Sequence, residues 1–597
     1  MKLLFRIVAG WVAVALVMTG PSPAAPSASR PRLDRFAPQA LSWPALFSGT
    51  GLIAPHAGSL FWPLHRLNRL AGFQARRDAP RVAAARNPFR RWKLLRTATA
   101  WAMLLTAASA LGNKGSQPTL EQQESATADG VRELIDRNTG FPFDVKRFDP
   151  KTQTLRFIDG PKAMETTTTD IGLGIIATVI DTTHQRLSLE AGRKALSKQL
   201  DEIERLQLNG YPRNHGFLLH AYNLRQLKPD GTPTPAEKPA DRYASSIDNA
   251  NLTDALIMAL GANTHNDLGR QILRMLKRQD YGYFYNAARK KVNPGVYQVS
   301  GEFLPFDYDT FYSEVRPLLL FLVAQASITG DPVKTERYMS LWKNMSRNLN
   351  VEALSSGKKV VIGKSWAGDS FEWRFAELFL NSGRFSPHAF KEMYGNALQV
   401  ELDVARRRGQ PELGYSPSFD ADGEYQTSGV PENATYPRDH SMDVVASYSV
   451  LLALKDNPDL AQNVLATLRA QFTDLYTRFG YLEGVDLRKT ARHPHGRTVL
   501  LLSSLGATIS LMSYNQALTT ELFWKGFEAW SGPAGVKLAQ GLLSAEDSRF
   551  LQAEQRLLGT KELRAGPPVE PSKIVTWLSA FSPQRLAPER RSLKQAA

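Results

Sequence analysis

The 597-residue chain contains no cysteine. That excludes structural disulfides, thiolate nucleophiles and cysteine-ligated zinc or iron–sulfur centres. Other chemistries are missing too. The ten histidines form no i,i+4 pair on a helical pattern and no HExxH, and His493 and His495 merely flank Pro494, so no metal site is expected. There is no G-x-S-x-G nucleophile elbow, no phosphate-binding glycine loop and no DDxxD metal motif. No cofactor is expected. Net charge is scarce where a nucleic-acid surface would need it. The formal charge is +16, but residues 1–112 hold +13 and residues 561–597 hold +4, which leaves −1 for the middle. A basic balance confined to the ends argues against a nucleic-acid partner.

The amino-terminal region carries two export-like units. Lys2 and Arg6 precede the apolar stretch from Ile7 to Met18, and small residues follow to about Ala25. Then Arg90, Arg91, Lys93 and Arg96 precede an apolar run from Ala98 to Leu111, shorter than the ~20 residues a spanning helix prefers. Either the first unit is an inner-membrane anchor followed by a basic linker, or translation starts later and the second unit is the working signal. A buried helix at 98–111 is the third reading. The first two place residue 113 onward in the periplasm or outside the cell. The expected division is an export signal or anchor with linker at 1–112, a helical domain at 113–535, and a helical, then extended, tail at 536–597.

Beyond about Gly130 one pattern recurs. A polar loop bearing an acid runs into a helix that is apolar nearly all round. Asp170 opens the first such helix, Asp248 the second and Glu314 the third. Asp369 and Glu372 open the fourth, Asp439 and Asp443 the fifth, and the sixth, LLLSSLGATISLMSY, has no acid. Amphipathic charged helices lie between them, as at LSLEAGRKALSKQLDEIERLQ and PVKTERYMSLWKNMSRNLN. Helices apolar all round are buried and those with one apolar stripe lie outside. This alternation predicts an all-α fold, a double-layered (α/α)6 barrel with the amino ends of the inner helices at one face. Capping and the helix dipole account for any single acid in a first turn. Acids from five helices converging on one face would repel one another, and that needs a further reason.

At these residues the chain resembles the glycoamylase-like domain family, which includes bacterial endo-β-1,2-glucanases and the cyclising domain of cyclic β-1,2-glucan synthases. The resemblance runs in order through DRNTGFPFD (136–144), TTTDIGLGI (167–175), HGFLLHAYN (215–223) and SSIDNANL (245–252). It continues through FYSEVRPLLLFL (311–322), SWAGDSFEWRFAELFL (365–380), GYSPSFDADGEYQTSGVP (414–431) and VVASYSVLLAL (444–454). It implies a glycoside hydrolase or transglycosylase acting on a bacterial β-glucan, β-1,2-linked in the named relatives, through paired carboxylates.

The expected catalytic acids are Glu372, Glu314 and Asp248. Glu372 lies between Phe371 and Trp373, surroundings that suit a general acid. Asp248, between polar neighbours, is expected to stay ionised, as base or as a sugar ligand. Glu314 is either catalytic or paired with Arg316. Asp170 and Asp443 are expected to bind substrate. Trp366, Trp373, Tyr308, Phe311 and Tyr312 are candidate platforms for sugar rings, with core packing as the rival explanation. Three positions depart from the family pattern. Ser503 to Gly506 replace a polar pair of the last inner helix, Asn223 stands for Asp, and Pro417 stands for Glu. These departures leave a second reading, a catalytically inactive glycan-binding or polysaccharide-assembly protein on the same fold.

Overall fold

The computed structural model describes residues 117–159, 164–209, 215–238, 241–437 and 441–559. The export signal, Asp439 and the tail from residue 560 lie outside them. Among the described residues no helix is long and apolar enough to cross a membrane.

Two kinds of helix alternate. Helix α1 spans Leu120–Leu134. The buried kind comprises α2 (Thr168–Thr183), α4 (Ser246–Ala262), α6 (Val315–Ile328), α8 (Ser370–Leu380), α10 (Ser447–Leu451) and α12 (Ser504–Tyr514). Every residue of α8 is buried, and in α4 only Asp248 and Ala262 are not. The amphipathic kind comprises α3 (Leu189–Leu208), α5 (Asp267–Arg278), α7 (Pro332–Asn344), α9 (Met393–Arg408) and α11 (Pro458–Gln471). Among the buried helices α2 packs between α12 and α4, α4 against α6, α6 against α8, and α12 against α10. This is the layering an α/α toroid requires.

The helices are not the whole of it. Short antiparallel strands lead straight into four of the buried helices, which an all-α expectation missed. Glu165–Thr167 pairs with Ala221–Leu227 and enters α2, and Tyr243–Ser245 pairs with Gly295–Tyr297 and enters α4. Val444–Ala446 pairs with Gly484–Asp486 before α10, and Leu501–Ser503 pairs with Val145–Asp149 before α12. At three residues each, six of these eight strands are too short to show an alternating pattern. They fix where each chain turns inward and which residue caps the helix. Thr167 Oγ1 accepts from Asp170 N (3.0 Å) while Asp170 accepts from Thr167 N (2.9 Å), a reciprocal capping box. Ser245 caps α4, Asp369 caps α8 and Ser503 caps α12. Thr167→Val is expected to cost about 1 kcal/mol of stability, measured by denaturant unfolding at unchanged m-value.

A long helical segment, α13 (Gln516–Leu558), packs on α4, α6 and α8. Gln516 Nε2, Thr520 Oγ1 and Trp524 Nε1 donate to the carbonyls of Glu377, Leu378 and Leu380, which have no partner within α8. Where α13 crosses α4 the backbones nearly touch, and a Cβ on Gly526 would run into the Ile257 carbonyl. The segment breaks at Gly532, whose φ of 70° is not helical, and a second helical stretch opens at Pro533. It then continues onto the domain, burying Leu542, Leu543 and Phe550, and Glu546 accepts from Trp342 Nε1 (2.9 Å). The expected boundary at 535/536 lies just after this break.

Candidate active site

The amino ends of the buried helices carry a connected set of carboxylates. Asp170 is 2% exposed and accepts from the Ser504 hydroxyl at the start of α12. Asp248 accepts from Thr169 Oγ1 (2.6 Å) through one oxygen and pairs with His220 Nδ1 (2.8 Å) through the other. Asn251, one turn along α4, donates to Thr169 Oγ1 (3.1 Å) and to Glu314 Oε1 (3.3 Å). The negative charges of Glu372 and Asp248 in turn act on Glu314. Glu372 Oε2 accepts from Ala367 N (2.8 Å), and Asp369 caps the same helix beside it. Asp248, Glu314 and Glu372, distant in sequence, thus share one electrostatic neighbourhood.

Capping explains some of these acids and not others. Asp170 and Asp369 are caps. Glu314 precedes α6 without making any side-chain cap, and both oxygens of Asp248 turn to other groups. The positive ends of the helix dipoles offset part of the repulsion among them.

Burial and neighbours divide the carboxyls into two classes. Burial, with the charges of Glu372 and Asp248, pushes Glu314 up to about 8, although the Asn251 hydrogen bond opposes this. Burial also raises Glu372, against hydrogen bonds from Ser365, Ala367 and Trp366 that favour its ionised form. Asp369 lies well above the usual range because it is buried and faces the Glu372 charge. Asp248 goes the other way. Burial disfavours its charge, but the facing His220 and the hydrogen bonds from His220, Thr169 and Ser245 hold it below the usual carboxylate range. His220 is itself raised: burial lowers it, and the Asp248 carboxylate more than compensates. Its ring stacks on Tyr243 with centroids 4.8 Å apart and planes 13° from parallel.

The expected platforms separate cleanly. Trp366 is 43% exposed beside the Glu372 loop, and Tyr308 is half-buried with the charges of Glu314, Asp248 and Glu372 acting on its hydroxyl. Trp373, Tyr312 and Phe311 are not platforms. They are 2%, 1% and 0% exposed, because their positions face the packed layers between helices. Asp443 stands apart as well. It is exposed, a strand intervenes before α10, and it does not join the cluster. Arg316 does not pair with Glu314. It is fully buried, bonded to Glu377 one helix over, and donates to Trp373 O (2.6 Å).

Sequence reasoning missed several residues. Glu483 is 4% exposed and accepts from Ser418 Oγ (3.0 Å) and Ser503 Oγ (2.5 Å). It supplies a carboxylate at the start of α12, whose first turn has no acid of its own. It comes from a turn between strands, where no helix-start pattern marks it. His220 lies within HGFLLHAYN, yet only its spatial pairing with Asp248 distinguishes it. Tyr425, 47% exposed, projects from the 414–431 segment, and the charges of Glu314, Asp369 and Glu483 act on its phenol. Asn223, one of the departures, accepts from the amides of Arg225 (2.9 Å) and Gln226 (3.2 Å) in a β-bulge. Among the described residues no group of three or more His, Asp or Glu could hold a metal ion.

No protein-family model and no curated protein matches the chain by sequence. Solved structures do match in fold. A proposed glucoamylase from Bacteroides caccae superposes with a TM-score of 0.54 at 18% identity, covering 71% of this chain and 98% of that one. An endo-β-1,2-glucanase from Chitinophaga pinensis, in complex with sophorotriose and glucose, gives 0.52 at 14% identity, covering 71% and 97%. An endo-β-1,2-glucanase from Talaromyces funiculosus, in complex with sophorose, gives 0.56 at 14%, covering 72% and 90%. At these identities the likeness is one of fold.

Proposed function

We propose that the helical layers close into an (α/α)6 barrel and that the protein is an exported glycoside hydrolase cleaving a β-1,2-linked glucan at the mouth of that barrel. The observation that carries this reading is the placement of Glu314, which prefers to hold a proton, within the same cluster as Asp248, which prefers to be charged. Glycosidic cleavage needs a proton donor and a basic carboxylate flanking one bond. Glu314 donates its proton to the leaving glycosidic oxygen. Asp248, kept ionised by His220, accepts a proton from the attacking water. Glu372 keeps the Glu314 proton in place through its charge and hydrogen-bonds the sugar. Trp366 and Tyr425 offer ring faces to neighbouring glucose units. The fold shared with endo-β-1,2-glucanases in complex with sophorose and sophorotriose supports the linkage. Export is supported by the two basic-then-apolar units within residues 1–112.

Incubation of the purified protein with linear β-1,2-, β-1,3- and β-1,4-glucans, followed by reducing-end assay, tests the proposal. Release from the β-1,2-linked polymer is expected. Binding without release from any polymer would favour the inactive glycan-binding reading instead. Trp366→Ala is expected to raise KM about tenfold while kcat changes less than about twofold, since a ring platform binds ground and transition states alike.

Activity needs the Glu314 proton, so kcat/KM is expected to fall as pH rises through about 8. Stability moves the same way. The folded state keeps a proton that an ordinary glutamate loses near 4.5, so this contribution is complete below 4.5 and is lost as pH rises toward about 8. In Glu372→Gln the basic limb of the rate profile is expected to shift to lower pH, because a neighbouring negative charge is gone.

A further inference from the structure

Asn251 ties the proton-holding and the charged carboxyl of the cluster together. It sits one turn along α4 from Asp248, 4% exposed, and its side-chain nitrogen serves two other elements. It donates to Glu314 Oε1 (3.3 Å) ahead of α6 and to Thr169 Oγ1 (3.1 Å) in the first turn of α2. Thr169 passes the contact on, donating to Asp248 Oδ1 (2.6 Å). Capping accounts for neither side chain, because Thr167 caps α2 and Ser245 caps α4.

The direction of these bonds places the protons. A protonated carboxyl accepts best through its carbonyl oxygen, so an N–H on Oε1 leaves the Glu314 proton on Oε2. A hydroxyl has a single hydrogen, and because Thr169 Oγ1 already accepts from Asn251, that hydrogen points at Asp248. Asp248 Oδ2 faces His220 Nδ1 (2.8 Å). Other groups act on the same carboxyls. Glu314 feels the carboxylates of Asp248, Asp369 and Glu372 and faces the phenols of Tyr308, Tyr425 and Tyr448. Asp248 faces His220, Asp170 and Tyr243 as well. These neighbours set how tightly each carboxyl holds a proton, whereas Asn251 sets which Glu314 oxygen carries it.

We propose that Asn251, acting through Thr169 toward Asp248, is a positioning residue that gives the cluster its polarity: it directs the Glu314 proton to Oε2 and aims a hydrogen at Asp248, so that Glu314 gives a proton and Asp248 takes one. The inference rests on the hydrolase reading above.

Asn251→Leu, close in size and without a donor, tests it beside Thr169→Val. A donor on Glu314 favours the ionised form, so its loss makes the proton harder to remove. In Asn251→Leu the basic limb of kcat/KM on linear β-1,2-glucan should move up by about one pH unit and kcat should fall about tenfold. In Thr169→Val the acidic limb should move up by about one pH unit while the basic limb stays, since Asp248 loses a bond to its ionised form. A merely structural role would lower the rate and leave both limbs in place, which overturns the proposal. So does a basic limb that moves to lower pH in Asn251→Leu, because Asn251 would then have been holding the Glu314 proton through its oxygen. An infrared pH titration reads the same shift without turnover, with the Glu314 carboxylic-acid band identified by its loss in Glu314→Gln. A shifted band without hydrolysis removes the hydrolase reading and leaves the proton placement standing, and an unmoved band removes the role of Asn251 whether or not the protein is active. Should Asn251→Leu not fold, Thr169→Val still decides, and an unmoved acidic limb overturns the proposal.

Discussion

Glu314→Gln is expected to lower kcat on linear β-1,2-glucan by about 10³-fold and to leave the thermal midpoint nearly unchanged. The size follows from the typical 10²- to 10⁴-fold worth of a positioned general acid. Structural neutrality follows from the environment. Glu314 is pushed up to about 8, so near pH 7 it is largely the neutral acid, which a glutamine amide copies in shape and polarity. The Asn251 side chain keeps an oxygen to donate to. Glu314 caps no helix, so no backbone amide is left without a partner. A structural carboxylate would behave in the opposite way, with stability falling and rate following it. Circular dichroism and reducing-end kinetics on the same preparation separate the two. Loss of rate with intact folding is the expected result.

Glu377→Ala is expected to destabilise the fold by about 3–5 kcal/mol, the typical cost of stranding one member of a buried ion pair. Arg316 is fully buried in α6 and pairs with Glu377 in α8, while its remaining contacts are the Trp373 carbonyl and the faces of Phe390 and Tyr394. Removing the carboxylate leaves a guanidinium charge inside the protein and also takes the acceptor from Ser382 N. Denaturant unfolding measures the loss. Glu377 lies at the far end of α8 from Glu372, so activity per folded molecule should remain near that of the parent protein.

Much of the layering was legible in the sequence, because burial writes itself as a period. A helix such as SSIDNANLTDALIMAL has no polar stripe, so it can only be an inner helix. The acids at helix starts were legible for the same reason, since they stand at the boundary between a polar loop and an apolar run. What those acids do was less legible. Asp369 and Glu372 look alike in sequence, and only the fold shows one capping the helix and the other accepting from a loop amide. The strands that lead into the buried helices escaped notice because three residues carry no alternation. Glu483 and His220 escaped because they reach the mouth from segments between helices, where the partner that gives each its meaning is tens of residues away or on another element. Trp373 and Tyr312 misled because an aromatic residue next to a catalytic candidate can face the core as readily as the cleft. Helical geometry turns neighbours in sequence about 100° apart.

The most direct test is a crystal structure of Glu314→Gln soaked with a linear β-1,2-linked gluco-oligosaccharide. The expected result is a glycosidic oxygen within hydrogen-bond distance of Gln at position 314, a water or sugar hydroxyl on Asp248, and a glucose ring against Trp366 or Tyr425. An oligosaccharide bound elsewhere on the surface, with Asp248 and Glu372 untouched, would contradict the assignment of this cluster as the catalytic site.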